Sequence, residues 1–192
     1  MTASILVFAG STRKGSHNVK LAKTLVTGLG NKNADVEYLD LADYPLPVLN
    51  EDIDVPENAH ALAKKFAAHD GFIIVSPEYN SSLTPLLKNT LDWVSITRAP
   101  DGHSYGPYAD KFVFLCSASP GSIGGLRGLY HLRSVLMNVG AEILTPQLAV
   151  GNAGSAIDDG GSLTDPRHQK MMEKGLNALI HAIECHKAHQ AA

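Results

Sequence analysis

The sequence predicts an α/β fold in which five parallel strands form an open sheet with helices on both faces. Segments of strand character and of helical character alternate along the 192 residues, and this order is typical of parallel sheets. Residues 71–75 and 112–116 are short apolar runs, as expected of central strands covered on both faces. Internal repeats, low-complexity tracts and linkers are absent from the sequence, so we expect a single domain over residues 1–192.

Each strand is predicted from its own pattern. The first is the apolar run at residues 4–9. The second, at 34–39, alternates apolar and polar positions, as a strand near the edge of a sheet does. The third and fourth are the two apolar runs already described, and the fifth begins at Glu142.

The helices are predicted from apolar spacing and from the residues at their ends. Ser16 opens the first helix and Pro56 the second, Pro85 lies in the first turn of the third, and Gly140 closes the fourth. The apolar face of the first helix should hold Val19, Ala22, Val26 and Leu29. The other helical ranges are 56–69, 84–95, 126–139 and a final helix that includes 172–183, whereas 40–50, 98–110 and 152–162 should be loops.

A loop of small and hydroxyl side chains, residues 10–18, joins the first strand to the first helix. Such a loop exposes backbone N–H groups at a helix N-terminus, which favours an anion. Arg13 adds a cationic fork, and Ser11, Ser16 and Asn18 add short donors. The loop therefore fits a phosphate site, and it fits equally well an ordinary helix cap provided by Ser16.

Two more loops follow the third and fourth strands. Residues 77–80, Pro-Glu-Tyr-Asn, offer a carboxylate, a flat ring that can stack and an amide that can bond a heterocycle edge. Glu78 could equally be a solvated carboxylate or a cap for nearby N–H groups. Residues 117–125 contain three glycines and no charge, so their backbone can approach a ligand closely and present N–H groups.

All three loops should converge on one site, because ligands bind beyond the carboxyl ends of the strands in such sheets. An anion site opposite a neutral wall suits a ligand with one anionic end and one flat polar end, such as a mononucleotide. A dinucleotide would call for G-x-G-x-x-G in the first loop, which lacks those glycines.

Composition excludes several classes of protein. The formal net charge of −3 gives no footprint for nucleic acid or an anionic membrane surface. We find no stretch long enough to span a membrane and no signal-peptide pattern. The two cysteines are isolated, which indicates reduced thiols and a cytoplasmic location.

Three stretches resemble the NAD(P)H-dependent FMN reductase family, which includes quinone, azo and chromate reductases of flavodoxin-like fold. Residues 10–18 are similar to its phosphate loop, G-S-x-R-x-x-S-x-N, and residues 77–80 with 87–93 to its P-E-Y-N and L-K-N-x-x-D-W motifs. Residues 119–127 are similar to its third flavin loop. The chain departs from the family at 83–86, Leu-Thr-Pro-Leu, where Pro-Gly is common. The resemblance implies a three-layer α/β/α sandwich.

The resemblance also implies which residues bind FMN. The phosphate would be held by Ser11, Arg13, Ser16 and Asn18, with His17 in the same loop. The ribityl chain and isoalloxazine would be bordered by Pro77, Glu78, Tyr79 and Asn80. The pyrimidine edge would be lined by Ser117, Ser119, Gly121 and Gly124. We expect no catalytic side chain and no metal ligand, because the hydride chemistry takes place on the flavin. Arg127 could reach a nicotinamide phosphate or an adjacent subunit.

The function implied is an FMN-dependent NAD(P)H oxidoreductase. A hydride would pass from NADPH or NADH through FMN to a small acceptor (a quinone, azo compound, free flavin or metal oxyanion) by a ping-pong mechanism. The family resemblance also implies a homodimer or homotetramer. The alternatives are a flavodoxin-type electron carrier, against which the mild charge argues, and a flavin-binding redox sensor; neither would turn over pyridine nucleotides.

Two other sets of cysteine and histidine residues are candidates for a functional role, and we expect neither to have one. His181, Cys185 and His189 share one helix face by their spacing, but one face cannot easily surround an ion, so we expect no metal site there. Cys116 precedes the third loop, and we expect it to be a buried, inert thiol.

Overall fold

The computed structural model describes residues 2–158 and 160–191. Its strands are β1 (Ala3–Ala9), β2 (Ala34–Leu39), β3 (Gly71–Val75), β4 (Phe112–Ala118) and β5 (Glu142–Val150). Its helices are α1 (His17–Leu29), α2 (Glu57–Ala68), α3 (Pro85–Ile96), α4 (Leu126–Asn138), α5 (Ala153–Ala156) and α6 (Pro166–Gln190). One turn of 3₁₀ helix, Leu41–Asp43, follows β2.

The five strands form one parallel sheet in the order β2-β1-β3-β4-β5. The chain passes from β1 outward to β2 and then returns to build the other side from β3, so the topological switch point lies between β1 and β3. The ends of the central strands are level, because Ala9 pairs with Val75 and Val75 with Cys116. The loops after β1, β3 and β4 therefore leave the sheet at one edge, and the predicted fold class is confirmed.

Two apolar cores, one on each face of the sheet, hold the layers together. Helices α1 and α6 cover the face that includes Ile73 and Phe114, and α2, α3 and α4 cover the face that includes Phe72 and Leu115. Helix α6 lies directly on the sheet at Gly175, where a Cβ would stand 2.1 Å from Phe114 Cζ. The sequence thus places its bulky side chains alternately on the two faces of each central strand.

The first helix differs in detail from its prediction. Its buried apolar side chains are Leu21, Ala22, Leu25 and Leu29. Val19 and Val26 are only half-buried at the rim of the core. The longer leucine side chains, spaced four apart, reach the sheet more fully than the β-branched residues, and this sets the rotation of the helix.

Regular structure extends into the stretches predicted to be loops, including the 3₁₀ turn Leu41–Asp43 in 40–50 and a bridge between Arg98 and Ser104 in 98–110. Strand β4 extends to Ala118, because the end of β5 continues to pair with it, Ser117 with Ala149 and Ala118 with Val150. Ser117 is therefore a strand residue and not a loop residue. The expected loop 152–162 contains α5 and a bridge between Ile157 and Leu163. None of the helices in the described ranges combines the length and apolar character that crossing a bilayer requires.

Candidate functional site

The loops after β1, β3 and β4 meet in one open cleft at the carboxyl edge of the sheet. Its empty volume, including the open solvent at its mouth, is about 490 Å³. The lining residues are Ser11, Arg13, Ser16, His17, Asn18, Pro77, Glu78, Tyr79, Ala118, Ser119 and Pro120. Nine of the thirteen residues expected to bind the cofactor from the sequence are thus together in this cleft.

The first loop turns so that α1 begins at the cleft. Ser16 is the N-cap, and its Oγ accepts a hydrogen bond from the N–H of Val19 at 3.5 Å. His17 and Asn18 stand in the first turn, where N–H groups have no acceptor within the helix. The expected cap is therefore present, and it leaves N–H groups directed toward the same cleft, as an anion site requires.

Arg13 supplies the guanidinium of the cleft. Its Nη1 and Nη2 donate to the carbonyls of Lys14 and Gly15, each at 3.4 Å. Its backbone N–H donates to Ser11 Oγ at 3.3 Å, which fixes the turn. Hydrogen bonds as long as those of the guanidinium are weak, so an anion can replace the loop carbonyls as its partner at small cost.

Asn18 joins the first loop to the third. Its Nδ2 donates to the carbonyl of Ala118 at 2.8 Å, and its Oδ1 accepts from the N–H of the same residue at 2.9 Å. Both side-chain groups are thereby used within the protein. Asn18 thus holds the floor of the cleft together, and its backbone N–H and second Nδ2–H remain as donors for a ligand.

The second loop is a tight turn with Asn80 and Ser81 at its tip. Tyr79 and Ser82 exchange two backbone hydrogen bonds, of 2.9 and 3.0 Å. The φ angles of Asn80 and Ser81 are +52° and +64°, which is the positive-φ pattern of a type I′ turn. The turn holds the ring of Tyr79, 52% exposed, at the mouth of the cleft, while Asn80 is exposed and is not among the lining residues.

Glu78 does not extend freely into the cleft. Its Oε1 accepts from Arg127 Nε at 2.8 Å and Nη2 at 2.5 Å, and its Oε2 accepts from the N–H of Gly128 at 3.1 Å. Burial of this carboxylate opposes its ionisation, but the hydrogen bonds from Arg127 and Gly128 outweigh that effect, so the pKa of Glu78 lies below its ordinary value. Glu78 therefore caps the N-terminus of α4, one of the two alternatives left open by the sequence.

The third loop is supported by the chain that follows β5. The N–H of Ser119 donates to the carbonyl of Val150, and its carbonyl accepts from the N–H of Ala153, both at 3.0 Å. Its Oγ accepts from the N–H of Gly121 at 3.3 Å. The sequence carries no signal of this support. The polar stretch after β5 was therefore expected to be an ordinary surface loop.

Four of the expected site residues lie outside the cleft lining: Asn80, Ser117, Gly121 and Gly124. Ser117 is fully buried, and within the described ranges its Oγ has no hydrogen-bond partner. It stands against Gly125, where a Cβ would lie 2.0 Å from that oxygen. Gly124 has a φ of +65°, and a Cβ there would lie 2.7 Å from the backbone at the end of β5. Ser117 and Gly124 therefore shape the third loop through its close packing against neighbouring backbone and Gly125.

Thr84, which the sequence reasoning did not assign to the site, supports the first loop. Its Oγ1 donates to the carbonyl of Gly10 at 2.8 Å and accepts from the N–H of Leu87 at 3.2 Å, so it caps α3 as well. A Thr-Pro pair before an apolar run is a recognisable N-cap signal. Only the cap could have been predicted from that signal, since the contact with Gly10 depends on the fold.

The remaining cysteine and histidine residues are not part of the cleft. Cys116 is buried, and burial raises the pKa of its thiol well above the ordinary value despite a backbone hydrogen bond at Leu148. On α6, Cys185 Sγ lies 3.6 Å from His181 Nε2. In the ranges 2–158 and 160–191, the structure brings together no cluster of three or more His, Cys, Asp or Glu side chains suited to a metal ion.

Residues 3–155 match the sequence family described as NADPH-dependent FMN reductase, which is most of the chain. The chain belongs to this family. Among curated relatives, an NAD(P)H-dependent FMN reductase of Pseudomonas aeruginosa is 31% identical over 91% of this chain and 92% of its own. A quinone reductase of Escherichia coli is 36% identical over 80% of each chain. An NAD(P)H:quinone oxidoreductase of Solanum tuberosum is 35% identical over 88% of this chain and 87% of its own.

Solved structures agree with the family. FerB, a flavoenzyme NAD(P)H:(acceptor) oxidoreductase of Paracoccus denitrificans, superposes with a TM-score of 0.82 and 29% identity over 96% of this chain and 99% of its own. The predicted flavodoxin-like fold is confirmed. Family and enzyme class, an NAD(P)H-dependent FMN oxidoreductase, are confirmed too, as are FMN and NAD(P)H as cofactor and co-substrate.

The donor set of the cleft fits FMN. Its phosphate needs N–H donors and a positive charge, which the α1 N-terminus and Arg13 offer at one end. Its planar ring needs a flat wall, which the exposed ring of Tyr79 offers at the mouth of the same cleft. Among the described lining residues, Glu78 is the one carboxylate, and its charge is paired with Arg127. The cleft therefore contains no free negative charge that would repel the cofactor.

Proposed function

We propose that the chain binds FMN in this cleft and uses NAD(P)H to reduce quinones, with donor and acceptor bound in alternation. The observation that carries the proposal is the meeting of three loops around one cleft with an anion-binding end and an exposed aromatic ring. When bound, FMN supplies the redox chemistry by taking a hydride from NAD(P)H and passing electrons onward. Overall, one NAD(P)H and one proton convert one quinone to one quinol.

The protein contributes binding and orientation. Ser11, Arg13 and Ser16, with the N–H groups of His17 and Asn18, would hold the phosphate. Pro77, Tyr79 and Ser119 would border the rest of the cofactor from two sides. In this proposal Asn80, Ser117, Gly121 and Gly124 act indirectly, by shaping the second and third loops.

Alternation of donor and acceptor is supported by the presence of a single nucleotide-binding arrangement. The sequence has no G-x-G-x-x-G fingerprint for a second, dinucleotide-binding site. NAD(P)H and the acceptor would then use the same exposed side of the cofactor in turn. That arrangement corresponds to ping-pong kinetics.

A recess beside the cleft supports a quinone as acceptor. It shares Ser11, Arg13 and Tyr79 with the cleft and is completed by residues that include Pro85 and Leu86. A flat, uncharged ring suits this mixture of apolar side chains and an aromatic face, whereas a metal oxyanion would find Arg13 as its one cationic partner there. The relatives from Escherichia coli and Solanum tuberosum, which are named as quinone-reducing enzymes, support the same choice.

The family resemblance also supports a cytoplasmic homodimer or homotetramer. Both cysteines are free thiols, as is usual in a reducing compartment. Tyr130 and Met137 on α4 are exposed apolar side chains of the kind that subunit contacts cover. Light scattering on the purified protein tests the assembly, and a monomer would contradict it.

Anaerobic kinetics test the function. The apoprotein is reconstituted with FMN, and oxidation of NADPH and of NADH is measured with 1,4-benzoquinone, an azo dye and chromate at matched concentrations. We expect turnover with the quinone to have the largest kcat/KM and the initial-rate plots to give parallel lines. Reduction of chromate faster than of quinone would contradict the acceptor class, and intersecting lines would contradict alternation.

The same experiment distinguishes the other functions. Tight FMN binding without oxidation of either pyridine nucleotide would contradict the enzymatic function and would indicate an electron carrier or a redox sensor. Failure to bind FMN would contradict the proposed site.

A further inference from the structure

We propose that Arg127 is a positioning residue for the cofactor cleft: acting through Glu78, it pins the second loop to the N-terminus of α4 and cancels the negative charge on the cleft wall. The inference rests on the proposed function, because it assigns FMN to this cleft. It gives Arg127 a role within its own subunit, distinct from contact with a nicotinamide phosphate or an adjacent subunit.

The geometry of the pair shows that Arg127 neutralises Glu78, because Glu78 is the more buried of the two. The side chain of Glu78 is 8% exposed, whereas that of Arg127 is 56% exposed. Two guanidinium nitrogens of Arg127 converge on one oxygen of Glu78, at 2.8 and 2.5 Å. A buried carboxylate is thus neutralised by a group that approaches from the surface. Removing that group leaves the carboxylate, and not the arginine, in an unfavourable environment.

Helix α4 depends on Glu78 for its cap. Its N-cap residue is Gly125, in the left-handed region at a φ of +85°, and provides no side-chain cap. The N–H of Gly128 instead donates to Glu78 Oε2 at 3.1 Å. Gly128 also permits the approach of the second loop, because a Cβ there would lie 3.3 Å from Glu78 Cβ and 3.1 Å from the carbonyl oxygen of Ser82.

A second contact fixes the same loop to the same helix. His131, one turn beyond Arg127, has its Nδ1 3.0 Å from Ser82 Oγ. Ser82 is the closing residue of the turn that holds Tyr79 at the cleft mouth. Two side chains of α4 therefore set the position of the turn, and with it the distance between the second and third loops.

Charge gives the pair a second effect. Glu78 lines the cleft that also contains Arg13. With Arg127 absent, the carboxylate would face the cleft unpaired and would repel the phosphate of FMN. Riboflavin, which has no phosphate, would be affected only by displacement of the loop.

Four variants separate these effects: Arg127→Gln, Glu78→Gln, the double variant, and Arg133→Gln as a matched control. Arg133 lies on the same helix but donates to the carbonyls of Ile143 and Leu144, away from the cleft. FMN and riboflavin titrations of each apoprotein give the affinities. Hydrogen exchange of the Gly128 amide and of the turn 79–82 in the apoprotein reports on the contact itself, without cofactor or activity.

We expect R127Q to weaken FMN binding by about tenfold, the usual scale for loss of a charge-assisted hydrogen bond, and to weaken riboflavin less. Exchange at Gly128 and at the turn should accelerate in R127Q and not in R133Q. The double variant E78Q/R127Q should bind FMN more tightly than R127Q does, because the unpaired charge is gone. If R127Q and E78Q lower the affinity additively, or if loss of Arg127 is as harmful without Glu78, Arg127 contacts the ligand directly or is merely structural, and the proposal is wrong.

The pH profile provides a further check. In the wild type, Arg127 keeps the pKa of Glu78 low, whereas in R127Q burial should raise it. Protonation then removes the charge, so FMN affinity of R127Q relative to the double variant should rise as the pH falls. Arg13, His17 and His131 are unchanged in both, and the ratio cancels the titration of FMN itself. A ratio that is independent of pH would overturn the charge effect.

Failure of this proposal and failure of the proposed function give different results. If the wild type binds no FMN, the cofactor site is wrong, but exchange at Gly128 still tests the contact in the apoprotein. If the wild type binds FMN and R127Q matches R133Q in affinity and exchange, the site stands and the positioning role is contradicted.

Discussion

Asn18 and Ala118 form a reciprocal pair of hydrogen bonds across the floor of the cleft, with lengths of 2.8 and 2.9 Å. The pair joins the first turn of α1 to the last residue of β4, and both groups are buried. Asn18 thereby keeps the first loop and the third loop in register. One Nδ2–H and the Oδ1 of Asn18 are engaged by Ala118, so we expect its contribution to the cofactor to come from its backbone N–H and its second Nδ2–H.

Replacing Asn18 with Ala should lower the free energy of unfolding by about 2–3 kcal/mol, because two buried backbone groups of Ala118 lose their partner. Urea unfolding of the apoprotein measures the change. Asn58→Ala is the control, since Asn58 makes one exposed hydrogen bond, 2.9 Å to the carbonyl of Pro45, and should cost less than about 1 kcal/mol. Equal losses in the two variants would contradict a special role for the Asn18 pair.

Replacing Thr84 with Val keeps the shape of the side chain and removes its hydroxyl. We expect a loss of about 1–2 kcal/mol in the free energy of unfolding, because the cap of α3 and the bond to Gly10 both disappear. Thr90→Val is the control, as its hydroxyl donates only to the Leu86 carbonyl within the same helix, and it should change stability by less than about 0.5 kcal/mol. Thermal unfolding of both variants is the measurement. Similar melting temperatures of T84V and T90V would contradict a stabilising link between the first loop and α3 through Thr84.

Ser81 should be improved by glycine. Its φ of +64° costs an L-residue about 1–2 kcal/mol of folding free energy, and glycine removes this strain. The more flexible unfolded state of a glycine-containing chain offsets part of that gain. Ser81→Gly should therefore raise the free energy of unfolding by about 0.5–1 kcal/mol. Ser95→Gly, within α3, should instead lower it by about 0.5 kcal/mol. A loss of stability in S81G would mean that the turn at the cleft mouth is not strained.

The meeting of the three loops could be predicted from the sequence because it depends on local patterns and one general rule. Apolar runs identified the strands, and parallel strands place the loops at their carboxyl ends on the same edge. The cap at Ser16 likewise depends on residues a few positions apart. These signals were sufficient for the fold, the position of the cleft and most of its lining.

The contacts that set the shape of the cleft could not be predicted in the same way. Glu78 and Arg127 are 49 positions apart, and Asn18 and Ala118 are 100 apart. Such partners are brought together only by the packing of helices on the sheet. In both pairs, the sequence around one residue carries no local signal of its partner. Asn18 and Glu78 were therefore expected to face the ligand, although their side chains bond mainly to the protein.

The central claim, that the first loop holds the phosphate of a mononucleotide, is tested most directly by titrating the Arg13→Ala apoprotein with FMN and with riboflavin. Loss of a guanidinium–phosphate contact should weaken FMN binding about 10–100-fold and riboflavin binding by much less. Lys14→Ala, which removes a neighbouring charge outside the cleft lining, should leave both affinities nearly unchanged. Equal losses for FMN and riboflavin in R13A would contradict the account, because the anion would then be bound elsewhere.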